Sequence, residues 1–366
     1  MNKPLLSIIV PTKDRYKYLM HLIDYVIELD NPEIEFVIQD NTAENDEILE
    51  FLSDRKHSGI KYFHTKEPLT IQENSDKAVL NSTGEYVCYI GDDDAFLPNI
   101  IEFVNKMKLE QIEVGIFQRP VYYWPDVNSR YKRNNKIKIP TFKECFINPL
   151  NEINIILKDA GASLLHLPRL YHGIVRRDTL NKIYKKCETY FPGPSPDMAN
   201  GIALCYTATN VKSYDYPLII AGTGFKRIVG NEKGDYQDLD KLPFLPKDTL
   251  KKWNHKIPYK WTNQTIFAQT IYQTLSLYDP NRFDEFNWLK FYSRLRSQYP
   301  GLTKNHIDSL SLKDQLIIYI YSIYYKMRRN IGRFYKSLIP TKGRIEISGN
   351  NSTVINFAKN IFFSLN

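Results

Sequence analysis

Cysteine is scarce in this 366-residue chain. Its four cysteines, Cys88, Cys145, Cys187 and Cys205, lie far apart and form no Cys-x-x-Cys pair. That spacing argues against a structural zinc site and a disulfide framework, and it points to a reducing compartment. No apolar run reaches the length of a membrane span, and the apolar stretch after Met1-Asn2-Lys3-Pro4 is too short for a secretory signal. The protein is therefore expected to be made and kept in the cytoplasm. Internal repeats are absent. Gly222-Thr223-Gly224 lacks the third glycine of a dinucleotide fingerprint and comes late in the chain, so a dinucleotide fold is poorly supported. No RNA-binding signature accompanies the basic residues, which argues against nucleic acid as a partner.

Aromatic side chains are abundant, with 26 Tyr and 19 Phe, and the charged fraction of 25% is ordinary for a globular protein. Charge is unevenly distributed. Residues 241–366 hold 20 Lys and Arg against 7 Asp and Glu, whereas the first 240 hold 29 against 34. The basic C-terminal third suits anionic lipid or a phosphorylated substrate.

One cluster of acid stands out. Gly91-Asp92-Asp93-Asp94-Ala95-Phe96 follows directly on the apolar run Tyr86-Val87-Cys88-Tyr89-Ile90, which reads as a buried strand between Gly84 and Gly91. The aspartates then sit at the strand's C-terminal end, the edge at which open α/β sheets bind ligands. Three adjacent carboxylates repel one another until a hard divalent cation and phosphate share the site. The alternative is a solvated acidic turn ahead of the helix that Pro98 opens.

The first 120 residues alternate strand and helix. Strands are expected at 5–10, 35–39, 60–63 and 86–90, and helices at 15–29, 45–54 and 71–81, followed by a helix over 98–110 and a strand over 114–117. This alternation is the mark of a parallel-sheet α/β domain. A charged loop with Pro120 and Pro125 comes next. Shorter elements are expected at 166–167 and 171–175, then a helix after Asp178, the Pro-rich run 191–196, a helix over 197–206 and a strand over 217–221. Beyond Gly230 a polar loop leads into an aromatic, mostly helical region, with the boundary near 225–245.

Four segments taken together resemble the family 2 glycosyltransferases of GT-A fold. They are Ser7-Ile8-Ile9-Val10-Pro11-Thr12-Lys13-Asp14-Arg15, Phe36-Val37-Ile38-Gln39-Asp40-Asn41-Thr42, the stretch from Asn74 to Tyr86 ending in Thr83-Gly84-Glu85-Tyr86, and Gly91-Asp92-Asp93-Asp94. Their order and spacing match over about the first 120 residues. The resemblance implies an α/β, Rossmann-like mixed sheet of the nucleotide-diphospho-sugar transferase type, with a mostly helical C-terminal extension. It divides the chain into a catalytic domain, 1–235, with a donor-binding half to about 120 and an acceptor-side half after it, and a basic helical region, 236–366.

The resemblance also implies roles. A diphosphate leaving group calls for Mn²⁺ or Mg²⁺ as a Lewis acid, and such a cation needs few protein carboxylates. In the family's DxD pattern Asp94 contacts the metal, Asp92 lies near ribose and metal, and Asp93 shapes the sugar and ribose pocket. Pro11, Thr12 and Arg15 belong to the loop that wraps uracil and ribose, Asp40 accepts from the nucleobase, and Asn74 makes a polar contact to the nucleotide. Each has a plainer role open to it: Asp40-Asn41 as a turn, Arg15 as a solvated helix start, Asn74 as a helix-surface group.

An inverting transferase needs one general base. The best match is Asp197 in Ser195-Pro196-Asp197-Met198, although the family's common Glu-Asp pair is missing here and the residue is equally suited to cap a helix. His172 is a candidate late metal ligand; it competes with His166 and with a core role for a lone histidine between apolar neighbours.

The run from Leu316 to Arg329, followed by Arg333 and Lys336, is apolar, Tyr-rich and basic. It suits a membrane surface as well as a packed helix. The expectation is a metal-dependent, inverting glycosyltransferase using a nucleotide-sugar donor, a UDP-sugar by preference. Its acceptor is expected to be a glycan or lipid-linked glycan of cell-surface polysaccharide assembly, with peripheral contact at the inner face of the plasma membrane. A nucleotidyltransferase should carry a Gly-rich loop after the first strand, and Val10 to Arg15 holds no glycine. A non-catalytic protein on a degenerate transferase fold is opposed by the intact acidic triplet.

Overall fold

A computed structural model describes residues 3–127, 136–164, 166–225, 236–242, 245–246, 248–338 and 344–365. The first half runs β1 (Leu6–Thr12), α1 (Tyr16–Leu29), β2 (Ile34–Asp40), α2 (Asp46–Ser53), β3 (Ile60–His64), α3 (Ile71–Leu80), β4 (Tyr86–Tyr89), β5 (Ala95–Phe96), α4 (Ile100–Leu109), β6 (Val114–Phe117), β7 (Val121–Tyr123), β8 (Lys136–Lys138), β9 (Glu144–Ile147) and α5 (Pro149–Lys158). There follow β10 (Gly173–Arg176), α6 (Arg177–Cys187), α7 (Pro196–Thr207), β11 (Val211–Tyr214), β12 (Ile219–Thr223), α8 (Asn263–Tyr278), α9 (Trp288–Gln298), α10 (Lys304–Asp308), α11 (Leu312–Leu338), β13 (Arg344–Glu346) and α12 (Val354–Leu365).

An eight-stranded mixed sheet in the order β3-β2-β1-β4-β10-β6-β11-β9 forms the centre. β1 is apolar along nearly its whole length because helices cover both faces of the sheet. It pairs in parallel with β2, from Leu6 opposite Ile34 to Thr12 opposite Asp40, and with β4 on its other side. All three strands therefore end on one edge. β10 runs antiparallel between β4 and β6, so its first residues arrive at that same edge. A small sheet, β5-β12-β7, closes over it. This mixed α/β sheet with a helical C-terminal region is the GT-A-like architecture that the resemblance implies.

Local chemistry sets the helix starts. Thr70 and Glu73 form a reciprocal capping box on α3, Asn148 caps α5 ahead of Pro149, and Pro196 occupies the first turn of α7. Arg15 precedes α1 without capping it; its side chain is engaged at the acidic triplet.

Several expectations need adjusting. Pro11 and Thr12 are the last residues of β1, rather than a loop after it. His166 and Leu167 form no strand: the segment turns into Pro168, Tyr171 makes an isolated bridge to Tyr89, and the strand itself begins at Gly173. The helix expected from Pro98 starts at Ile100. The boundary near 225–245 falls largely on residues outside those described, as does much of the charged loop after Pro125.

Two larger cores result. One unites β1, α1 and β4 with Val354, Phe357, Ala358 and Ile361 of α12, so the last helix returns to the first strand's core. The other joins α5 and α7 to α8, α9 and Ile318 of α11. α11 packs Ile318 and Ser322 inward and sends Arg329 to the Ser297 carbonyl at the end of α9 (3.0 Å). Its far side leaves Leu316, Ile320, Ile323 and Met327 exposed. Among the described residues no helix is long and apolar enough to cross a membrane.

Candidate active site

The acidic triplet follows β4 at the shared edge, and its carboxylates are held from two sides, by the end of β1 with Arg15 and by the 222–224 backbone. Asp92 accepts from Thr12 Oγ1 at the end of β1 (2.7 Å) and from Arg15 Nε (2.6 Å). Arg15 Nη2 also pairs with Asp93 Oδ2 (2.5 Å), which accepts the Gly224 N–H as well (2.7 Å). Asp94 accepts the N–H groups of Gly91 (2.6 Å) and Gly222 (2.7 Å). A Cβ at position 222 would lie 1.7 Å from the Asp93 carbonyl oxygen, so β12 reaches the triplet only because that position is glycine.

His172 completes the cluster. Its Nε2 lies 2.6 Å from Asp94 Oδ2, and Arg119 Nη1 lies 3.2 Å from its Nδ1. Arginine only donates, so Nδ1 accepts and the ring proton sits on Nε2, facing Asp94. The residue holds φ at 60°, costly for a side chain with a Cβ, and is fixed there by its N–H to the Tyr89 carbonyl (2.9 Å) and by stacking on Tyr171. His166 is exposed and lies near Glu152, outside this cluster.

Electrostatics separate the three acids. Burial raises Asp92 and Asp93 above the ordinary carboxylate range, with Arg15 opposing it in both. In Asp94 burial is outweighed by His172 and the two backbone N–H groups, and the carboxyl titrates low.

Asp197 stands in the first turn of α7, partly exposed, and no hydrogen bond ties its carboxylate among the described residues. Burial raises its pKa against the pull of His172, Arg169 and Arg119, while Asp94 adds to the rise. His172 and Asp94 among these charges put Asp197 within electrostatic reach of the triplet.

Asp40 is fully buried at the end of β2. Its carboxylate accepts from Tyr16 (2.6 Å), Tyr62 (2.8 Å) and the Thr42 N–H (2.8 Å). Pro11 lies opposite Gln39, half-buried. Asn74, 8% exposed in the first turn of α3, gives Nδ2 to the Thr12 carbonyl (3.4 Å) and leaves its buried Oδ1 without a partner. Such an orphaned acceptor suits a ligand donor.

Among the described residues no three Asp, Glu, His or Cys side chains form a ready metal cage. Two of the candidate donors are nevertheless adjacent, Asp94 Oδ2 and His172 Nε2 at 2.6 Å, and a hard cation that keeps waters and phosphate oxygens needs few protein ligands.

Residues 7–161 match the sequence profile of the family described as Glycosyl transferase family 2. These residues form a family 2 glycosyltransferase domain. Beyond it lie His172 and Asp197. No curated protein matches the chain. Among solved structures, the chain is similar to S. aureus TarS (16% identity, TM-score 0.46, covering 90% of this chain and 54% of that one), so it spans about half the length of that protein. It is also similar to S. aureus TarS 1–349 in complex with UDP-GlcNAc (16% identity, TM-score 0.47, covering 94% and 99%). A mycobacterial protein follows at 12% identity and a TM-score of 0.36, over 60% of this chain and 66% of that one.

The sequence reading missed Arg119, Arg169 and the backbone of 222–224. The Gly-Thr-Gly triplet was a visible signal, weighed only as a nucleotide fingerprint; the two arginines carried none.

Proposed function

We propose that this transferase moves a sugar from a nucleotide diphosphate donor, a UDP-sugar by preference, to a hydroxyl of a glycan acceptor in surface polysaccharide assembly, with inversion and with Mn²⁺ or Mg²⁺. The observation that carries the reading is the contact of Asp94 with His172 at 2.6 Å, with the Asp197 carboxylate, which has no hydrogen bond among the described residues, in electrostatic reach of both. Asp94, His172 and Asp92 are the residues that would hold the cation, which when bound neutralises charge on the diphosphate. Arg15 fixes Asp92 and Asp93, and Thr12 fixes Asp92, so the ribose-side wall needs little rearrangement. Asn74 Oδ1 offers the nucleotide an acceptor, and Tyr16 and Tyr62 hold Asp40 behind it.

Asp197 serves as the base. As the acceptor oxygen bonds to the anomeric carbon, its proton passes to the Asp197 carboxylate, and the bond from that carbon to the diphosphate oxygen breaks with its electron pair leaving on the diphosphate. A raised pKa makes the carboxylate a stronger base.

The same reading places the enzyme at the inner face of the plasma membrane through the outer side of α11. Leu316, Ile320, Ile323 and Met327 form its apolar stripe, and the exposed Lys326 and Arg328 border it with positive charge suited to anionic lipid. The side chains of Arg333 and Lys336 lie outside the described residues. Donor and acceptor machinery lie before about residue 235, and the mostly helical region after it packs into both of the larger cores.

Calorimetric titration of the full chain with UDP, GDP and TDP, each with Mn²⁺ and with EDTA, tests the reading. Metal-dependent binding of one nucleotide supports it; absence of binding to all three under both conditions overturns it.

A further inference from the structure

Arg169 is a buried arginine whose guanidinium makes no hydrogen bond among the described residues. It is 7% exposed, its buried Nε has no hydrogen-bond partner, and its side chain joins no ion pair among the described residues. Removing a guanidinium from water without a partner is costly, and such a group calls for an explanation. A second arginine, Arg119, is close enough for the two charges to oppose each other. With burial as the larger cause, this opposition lowers Arg169 to about 10. Arg119 is exposed, and its one side-chain hydrogen bond among those described goes to His172 Nδ1.

The backbone holds this arrangement firmly. Asn200, one turn after Asp197 on α7, accepts the N–H of Leu170 (2.9 Å) and donates to the Tyr190 carbonyl (3.0 Å). A Cβ on Gly173 would lie 2.1 Å from the Arg169 carbonyl, and one on Gly201 would lie 2.9 Å from that of Pro168. Two glycines thus let α7 and β10 close on the Arg169 segment, and Asp197 and Arg169 are carried by one rigid frame.

We infer that Arg119 and Arg169 form an anion site beside Asp197 that receives a phosphate or carboxylate group carried by the acceptor. The inference rests on the glycosyltransferase reading and adds a substrate class to it. Two features assign the pair to the acceptor rather than to the donor diphosphate. The His172 ring stands between Asp94 on its Nε2 side and Arg119 on its Nδ1 side. The charges that act on Arg169 are Arg119 and Asp197, with no member of the acidic triplet among them. An anion there cancels the repulsion of the two guanidiniums and fixes the acceptor next to the base, while Asp197 repels the anion from its own position.

The test uses the full chain saturated with UDP and Mn²⁺, titrated calorimetrically with glycerol 1-phosphate, glucuronate and, as neutral control, glycerol. We expect an anionic probe to bind where glycerol does not. Arg169→Gln should weaken that binding at least tenfold, Arg169→Lys should restore part of it, and UDP affinity should be unchanged. Because Arg169 makes no hydrogen bond among the described residues, Arg169→Gln should also keep or raise Tm, which a structural arginine would not allow. Equal behaviour of anionic and neutral probes, or no anion binding to the UDP-loaded protein, overturns the inference. So does a parallel loss of UDP and anion affinity in Arg169→Gln, which would assign the pair to the donor. Failure of wild type to bind UDP, GDP or TDP, with Mn²⁺ or with EDTA, removes the nucleotide-sugar reading and this site's assignment with it; where GDP or TDP binds in place of UDP, the same titrations are run on the chain loaded with that nucleotide.

Discussion

Asp94 and His172 meet at 2.6 Å although 78 residues separate them in the chain. The contact joins the end of β4 to the start of β10, two neighbouring strands that run in opposite directions. In Asp94→Asn we expect Mn²⁺-dependent UDP affinity to fall by at least about tenfold and EDTA to cease to matter, measured by calorimetry. Equal affinities across a Mn²⁺ titration would remove Asp94 from the metal shell.

Asp197→Asn should bind UDP as wild type does and lose roughly 10²–10⁴ in turnover, the range of a general base. The base must be ionised, so turnover should rise with pH through a pKa lying above the usual Asp value of about 4. That acid limb should vanish in the variant. A limb unchanged in position would assign the ionisation to another group.

Glu35 makes stability depend on pH. It accepts from Ser7 (2.5 Å) and from the Thr83 N–H and hydroxyl (2.7 Å each), pairs with Lys61, and so ties β1, β2, β3 and the turn before β4 together. Burial opposes the charge, but these donors win and lower its pKa to about 2. The folded value lies below the unfolded one, so the stabilisation is full above about pH 4.5 and is lost as pH falls towards 2. It amounts to roughly 3 kcal/mol. Urea unfolding of Glu35→Gln should show a loss of that order at pH 7 that shrinks on acidification; a constant difference across pH would exclude the linkage.

The outer face of α11 should carry the protein to anionic vesicles. Replacing Leu316, Ile320, Ile323 and Met327 together by Ser should abolish co-sedimentation with phosphatidylglycerol vesicles and leave UDP binding intact. If the replacement instead changes the oligomeric state and wild type ignores vesicles, the stripe is an interface between copies.

Much of the donor side was legible. The strands at 34–40, 60–64 and 86–89 and the helices of the first 110 residues carry plain periodicity, and short parallel strands with local turns leave little freedom. Elements such as β9 and β11 escaped because their neighbours are far away in sequence. Asp215, for example, anchors Thr141 and Gln118 after the chain has already passed them. The site divided in the same way. Asp92, Asp93 and Asp94 announced themselves as a triplet, whereas Arg169 is distinguished only by the partner it lacks, a property that exists only after folding. Asp40 shows the converse: the sequence placed it at the right edge but gave no sign of the two tyrosines that hold it.

The return of α12 to the core of β1 has a consequence for biosynthesis. Phe357 packs against Tyr122, and Lys359 pairs with Glu28, so the hydrophobic interior around the earliest strand stays incomplete until residues beyond 354 have been translated. A ribosome-bound chain can assemble the parallel strands but leaves an apolar face uncovered, and that face is open to chaperones or to aggregation until α12 has emerged.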